Sequence, residues 1–108
     1  MYFHNPDERD FKELVPGIRA RTFWGERMLV AVVDIAPNAV LPNHSHPHEQ
    51  AGTMIEGQME MTIAGQSRTL KAGDVWVIPG GVEHSAVGGD AGARVIEFFS
   101  PVREDYKY

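Results

Sequence analysis

The sequence predicts an all-β fold. Glycine and proline divide the 108 residues into short apolar segments, and no segment has the 3.6-residue apolar period of an amphipathic helix. The hydrophobic content of 43% and the charged content of 23% are those of an ordinary globular protein rather than a disordered chain. We expect one domain spanning residues 1–108, with an N-terminal arm to about residue 10 and a C-terminal tail from about residue 100.

The first predicted strands form a hairpin. Residues 18–24 (IRARTFW) and 28–35 (MLVAVVDI) are apolar segments on either side of a turn at Gly25 and Glu26. Residues 37–41 then lead into a histidine-rich segment. Before this hairpin, residues 7–14 are polar, and we expect them to form at most a short helical turn.

The second half of the chain is predicted to consist of short strands separated by glycine turns. Gly57 separates the first two strands, and the glycine-rich residues 88–92 form a loop before the last strand. The polar tail over residues 100–108 is expected to contain at most one helical turn. The predicted strands are 51–56, 58–63, 66–70, 75–78, 82–87 and 93–99.

Eight or nine strands of this length must close into a barrel or stack as a sandwich, because open strand edges aggregate. Several strands are apolar on both faces, most clearly residues 95–99 (VIEFF). In so small a chain, a partner subunit is the best explanation for a second apolar face, so we expect a homodimer.

Composition excludes several classes of partner. The net charge of −5 does not suit nucleic acid or an anionic membrane surface, and no apolar run approaches the roughly 20 residues that span a bilayer. The polar, acidic N-terminus is not expected to be a signal peptide, and a cytoplasmic location is favoured. The absence of cysteine excludes disulfides and thiolate metal sites, so any metal must be held by nitrogen and oxygen.

The histidine-rich segment, residues 42–50 (PNHSHPHEQ), is a candidate metal site. Its three histidines and Gln50 occupy even-numbered positions, which point to one side of an extended chain. Alternation alone therefore cannot choose among them, and a polar surface loop is the alternative interpretation. A second segment, residues 73–84 (GDVWVIPGGVEH), places another histidine just after a proline-glycine turn.

These two segments resemble the two signature motifs of the cupin superfamily. In the first motif, H-x-H is followed after three or four residues by Glu or Gln, and after six more by Gly. The second motif is Gly, five residues, Pro-x-Gly, two residues and His, and residues 73–84 match it at every spacing. The resemblance implies a double-stranded β-helix, or jelly-roll barrel of the RmlC-like type. The metal ligands that it implies are His44, His46, Gln50 and His84.

The alternative frame, which begins at His46 and His48, would put Gly52 or Thr53 at the fourth ligand position. Neither is a plausible replacement, so His48 is interpreted as a group at the rim of the pocket. Two departures from the family pattern, Asn38 for Gly and Gly88 for Asn, do not involve ligands.

Three imidazoles and one carboxamide are all neutral, so a bound divalent ion would keep its full charge and act as a strong Lewis acid. We expect one divalent transition metal, and zinc, manganese, iron, nickel and copper all suit imidazole ligands. Four protein ligands leave about two positions open on an octahedral ion. A small molecule with adjacent oxygens is the substrate that such a site would accept.

Glu97 is the second candidate for chemistry. It shares one face of the last strand with Val95 and Phe99, and a carboxylate on an apolar strand is costly to bury without a partner. The functional interpretation places it inside the barrel near the metal, where burial and charge tune it for proton transfer. A pair with an arginine, or an edge position facing water, is the alternative.

The segment around Glu97 resembles a narrower group, the small cupins of pectin and alginate breakdown that linearise unsaturated monouronates. Their C-terminal motif reads Asp-x-Phe-Ser-Pro-Pro-Arg, and this chain has Glu97, Phe99, Ser100, Pro101 and Arg103, with Val102 for the second proline. The resemblance implies that Glu97 moves the proton, with its carboxylate one methylene farther out than that of Asp. It also implies a pocket position for Phe99 and a grip on the substrate carboxylate by Arg103.

Other residues have two interpretations. Arg103 could equally be a surface arginine paired with Glu104 or Asp105. Met54 and Met59 are candidates for substrate contact, although methionines more often line a core and a barrel lumen makes the two roles overlap. Two other functions fit the same fold, a metal dioxygenase and a non-catalytic metal- or sugar-binding protein.

Overall fold

The computed structural model describes residues 2–108, and in these residues all regular structure is antiparallel β-sheet apart from two 3₁₀ turns, Pro6–Glu8 and Glu104–Tyr106. The predicted all-β class is therefore confirmed. No helix in this part of the chain has the length and apolarity needed to cross a membrane. The eight strands are β1 Lys12–Val15, β2 Ile18–Trp24, β3 Leu29–Ile35, β4 Val40–His44, β5 Glu49–Ile63, β6 Gln66–Lys71, β7 Val75–Ile78 and β8 His84–Ser100.

The two long strands, β5 and β8, organise the fold. They pair along almost their whole length, from Glu49 opposite Ser100 to Ile63 opposite His84. The first half of β5 also pairs with β7, and its second half pairs with β6. The first half of β8 pairs with β4, and its second half pairs with β3, which continues to β2 and β1. Because the neighbours change halfway along both strands, the sheet folds over into the two layers of a jelly roll.

The predicted strand break at Gly57 and the predicted loop at 88–92 are both wrong, because these residues lie inside β5 and β8. Gly57 and Gly92 both have positive φ, +80° and +74°, and the register between the strands shifts beside them. A Cβ atom on Gly57 would lie 2.0 Å from the carbonyl oxygen of Gly92. These glycines therefore bend two paired strands and let their backbones approach closely, rather than ending them.

The N-terminal region also differs from its prediction. The 3₁₀ turn Pro6–Glu8 covers only the start of the expected turn, and residues 12–15 form the edge strand β1 against β2. The C-terminal tail, by contrast, contains the single turn expected for it, Glu104–Tyr106, and folds back on the same chain. Thr22, on the inner face of β2, donates a hydrogen bond to the Tyr106 carbonyl oxygen at 2.6 Å, and Arg9 donates to the carbonyl oxygen of Tyr108.

The core fills the space between the two layers. Residues of one parity on each strand point inward, and the side chains of Leu29, Val95 and Ile78 are fully buried there. Met54 and Met59 join them from β5. Toward one end of this interior, the apolar side chains give way to the histidines and Gln50.

Candidate metal centre

Three histidines converge at one end of the interior. His44 ends β4 and lies opposite His84, the first residue of β8, while His46 follows in the loop before β5. One ring nitrogen from each of the three lies within 4.8 Å of the others. His46 and His84 are buried, and the three rings pack together with centroids 4.2 to 5.9 Å apart. Two segments 38 residues apart in sequence therefore meet at one point.

Backbone carbonyl groups fix the tautomer that each of the three rings adopts when neutral. The Nδ1 atoms of His44, His46 and His84 lie 2.8, 3.1 and 2.9 Å from carbonyl oxygens two residues away in the sequence. A carbonyl oxygen only accepts, so each Nδ1 must carry the hydrogen. In the neutral ring Nε2 is then left with a free lone pair, which is the arrangement that a metal-binding imidazole needs.

Gln50 adds an oxygen to this cluster. Its Oε1 lies 2.9 Å from Nε2 of His46, although both atoms are acceptors once Nδ1 carries the ring hydrogen. Two facing lone pairs repel unless a cation lies between them. Nε2 of His84 is also buried and has no hydrogen-bond partner among residues 2–108. Burial lowers the pKa of both His46 and His84, which keeps the rings neutral. This donor set fits a divalent metal ion.

Glu97 lies beside the histidine cluster, on the inner face of β8. Its carboxylate accepts a hydrogen bond from Nε2 of Gln50, so the amide connects it to the cluster. Burial raises the pKa of Glu97 to about 7, with the hydrogen-bonding influence of Trp76 and the charge of Arg103 acting in the opposite direction. None of the salt bridges among residues 2–108 includes Glu97, so the arginine pair considered as an alternative does not form.

Arg103 lines the cavity in front of these residues. His44, Gln50, His84 and Glu97 line the same cavity. The guanidinium lies 3.7 Å from the ring centre of Tyr106 and 5.3 Å from that of Phe99. It also pairs with Asp105 at 3.2 Å, so the local ion pair weighed from the sequence exists together with the cavity position. The pair and the stacked ring hold the guanidinium in place.

The remaining candidate residues lie in different surroundings. Phe99 and Met59 line the cavity, whereas Met54 is buried in the core away from it. His48 contributes its backbone carbonyl, which orients His46, and its ring packs 5.7 Å from the ring of His46 rather than lining the cavity.

Two residues at the site were missed from the sequence. Tyr106 lines the cavity, and its position three residues after Arg103 was a usable signal, because a single 3₁₀ turn brings it under the guanidinium. Trp76 acts on Glu97 from β7, and only the register of three strands brings the two together.

The family model described as a cupin domain matches residues 31–99 of this sequence. The chain belongs to the cupin family. The cupin also resembles the pectin degradation protein KdgF of Dickeya dadantii (strain 3937), with 31% identity over 102 residues and 93% of each chain covered.

Solved structures agree with this assignment. The structure of KdgF from Halomonas sp. matches with a TM-score of 0.90 and 31% identity over 97% of each chain. An RmlC-like cupin from Shewanella frigidimarina NCIMB 400 matches with a TM-score of 0.91 and 25% identity, covering 98% of this chain and 96% of the other. The jelly-roll fold and the resemblance to the pectin-degradation cupins are thereby confirmed.

The raised pKa of Glu97 predicts a pH effect on the stability of the metal-free cupin. In the unfolded chain the carboxyl has a pKa near 4.5, and in the folded protein near 7. The folded state therefore binds this proton more tightly, and the stability it contributes is lost as the pH rises from 4.5 through 7. In Glu97→Gln that loss should disappear. From pH 4.5 to pH 8, the unfolding free energy of the wild type should therefore fall by up to roughly 3 kcal/mol relative to that of the variant.

Urea denaturation of the metal-free proteins at the two pH values measures this difference. The contributions of His46 and His84 are common to both proteins and cancel. Glu60→Gln is the matched control, because Glu60 lies exposed on β5. Parallel pH profiles for Glu97→Gln and wild type would contradict the raised pKa.

Proposed function

We propose that this cupin is a metal-dependent enzyme that acts on a small sugar acid, opening the ring of a 4,5-unsaturated uronate to its open-chain keto form. The observation that supports this most is that His44 and His84 of the cluster, Gln50, Glu97 and Arg103 line one cavity. The likeness to two KdgF proteins, one described as a pectin degradation protein, supports the choice of substrate class.

The metal ligands in this proposal are His44, His46, Gln50 and His84. Their free lone pairs and neutral charge suit one divalent ion of zinc, manganese, iron, nickel or copper. When bound, such an ion supplies Lewis-acid polarisation of substrate oxygens.

Glu97 has the properties of the proton-transferring group. Ring opening is an isomerisation in which the anomeric hydroxyl loses a proton, the bond between C1 and the ring oxygen breaks, and C4 gains a proton as C5 becomes a ketone. One residue that accepts and then returns a proton satisfies this balance. A carboxyl with a pKa of about 7 is divided between both protonation states at neutral pH, which is the condition for general acid/base catalysis.

Arg103 is proposed to hold the substrate carboxylate. Asp105 occupies its Nε and Nη2 donors at 3.2 and 3.3 Å, and the guanidinium has five N–H groups in all. Donors therefore remain for a charge-assisted contact with a second carboxylate. Phe99 and Met59 are proposed to cover the apolar side of the sugar, and Met54 and His48 to support the pocket from behind.

Replacing a histidine of the cluster should remove the metal. His84→Ala deletes one of three converging imidazoles, so the affinity for zinc or manganese should fall by more than about 100-fold, the most that loss of an outer-shell partner usually costs. Elemental analysis of the purified protein and titration with each metal measure the effect.

His48→Ala is the matched control for metal binding, because it keeps the carbonyl that orients His46 and removes only a ring outside the cluster. An equal loss of metal affinity in His84→Ala and His48→Ala would refute the proposed ligand set. A wild-type protein that binds no metal would refute it as well.

Turnover tests the proposed reaction directly. Incubation of the metal-loaded cupin with an unsaturated monouronate should remove the absorbance of the conjugated double bond. In Glu97→Gln, kcat should fall roughly 10²- to 10⁴-fold because the proton-transferring group is lost. The exposed Glu60→Gln serves again as the control, with unchanged kcat expected.

Unchanged absorbance with the wild-type, metal-loaded protein would overturn the uronate proposal. Oxygen consumption with diol substrates would instead favour the dioxygenase interpretation.

We also propose that the cupin forms a homodimer through the outer face of the layer that contains β2, β3 and β7. A continuous row of apolar residues crosses five strands there, and Phe98 and Val77 within it are 38% and 61% exposed. The row consists of Phe23, Val30, Phe98, Ala51 and Val77.

Phe98→Glu should therefore shift the protein toward a monomer in sedimentation experiments, whereas Val87→Glu, an equally exposed apolar position on the other layer, should not. A monomeric wild type would rule this interface out.

A further inference from the structure

Trp76 is a buried polar group to which the proposed mechanism gives no role. It lies on the inner face of β7 and is only 5% exposed. Its indole Nε1 is buried and has no hydrogen-bond partner among residues 2–108. An N–H group withdrawn from water without an acceptor is costly, so a nearby acceptor is expected.

Strand register places Trp76 beside Glu97 with only a glycine between them. Gly52 is opposite Trp76 on one side and opposite Glu97 on the other, and Ala31 follows as the next neighbour of Glu97. All four positions face inward. Glu97 therefore lies between the two smallest residues available, which leaves space around its carboxyl group.

The glycine is required by the position of the indole. A Cβ atom on Gly52 would lie 2.5 Å from Cε2 and Cζ2 of Trp76 and 2.6 Å from Nε1. The edge of the indole that carries the N–H therefore lies directly across the backbone of β5. The next residue in that direction is Glu97.

We propose that Trp76 is a positioning residue for Glu97, with Gly52 as the gap through which the indole N–H reaches the carboxylate. This inference rests on the proposed role of Glu97 in proton transfer. The carboxylate would then be held between two N–H donors, the amide of Gln50 on one side and the indole on the other.

The charge effects at the site agree with this arrangement. Trp76 lowers the pKa of Glu97 as a hydrogen-bond donor does, in opposition to the larger effect of burial. Gln50 alone does not provide the same restraint, because its oxygen is directed at His46 and its amide follows any movement of the histidine cluster. A rigid indole on a neighbouring strand is an independent support.

The alternative is that Trp76 is only a packing residue that separates the cavity from the groove beside β6 and β7, which it lines. A packing residue would be insensitive to the chemistry of position 97. The two interpretations are therefore separated by a measurement on the indole N–H itself.

Nuclear magnetic resonance of ¹⁵N-labelled protein makes that measurement without substrate. The chain contains two tryptophans, so Trp24→Phe, at an exposed position, assigns the two indole signals. In Glu97→Gln the indole N–H signal of Trp76 should move and that of Trp24 should not. An unmoved Trp76 signal would overturn the proposal, whether or not the protein opens uronates.

Kinetics supply the second test. Trp76→Phe keeps an aromatic ring but removes the N–H, so kcat should fall roughly 10- to 100-fold while KM and metal content stay unchanged. Gly52→Ala should lower kcat similarly, because its methyl group displaces the indole while leaving the N–H chemistry intact. Trp24→Phe should retain wild-type kcat. Urea denaturation of each variant confirms that the comparison is between folded proteins.

An unchanged kcat in Trp76→Phe, with active wild type, would refute the positioning role and leave the proposed function intact. An inactive wild type whose Trp76 signal still responds to Glu97→Gln would refute the function and leave the contact standing.

Discussion

The pairing of β5 with β8 is the constraint on which the rest of the structure depends. These two strands run through both layers, so one ladder fixes the positions of Gln50 and Gly52 relative to Glu97 and, at its other end, ties Ile63 to His84. The bend at Gly57 and Gly92 turns both strands together. Without it the strands would lie flat, and β4 would not bring His44 opposite His84 in the same space as the first half of β5.

The amide at position 50 is understandable from its two neighbours. Its oxygen faces the imidazole of His46, and its nitrogen donates to Glu97. A carboxylate at the same position would have no hydrogen to donate and would place a second negative charge against Glu97. A carboxamide thus serves two opposite requirements, an acceptor on the side of the histidine cluster and a donor on the side of the acid. The carboxylate of Glu97, the proposed proton-transferring group, can then lie close to the cluster without belonging to it.

Much of the fold was predictable from the sequence, because strand positions depend on local alternation and turn residues. The strands around residues 18–24 and 75–78 were located to within a residue. Gly57 and residues 88–92 were not, because a glycine that bends a paired strand and one that ends a strand have the same local signature. The difference is made by the backbone of Gly92, 35 residues away, which approaches Gly57 closely. Likewise, edge strand β1 depends on its pairing with β2 rather than on its own composition.

In the candidate site, too, local sequence signals predicted some features, whereas the pairing of distant strands determines the others. Motif spacing sufficed to single out His44, His46, Gln50 and His84, which the fold brings together. Strand alternation alone showed that Glu97 shares a face with Val95 and Phe99, but it could not show which face of the strand lies inside the fold. The neighbourhood of Trp76 was unpredictable, since its distance from Glu97 is set by the register of β7, β5 and β8 combined.

The three hydrogen bonds that orient the histidines all end on main-chain oxygens, those of Pro42, His48 and Val82. Substituting a side chain does not delete a main-chain oxygen, so most substitutions around the site leave the orientation of each imidazole ring unchanged. A scaffold of this kind can exchange the groups that line its cavity, and hence the molecules it accepts, while the imidazoles stay poised. The robustness of the cluster would then leave the rest of the pocket free to evolve.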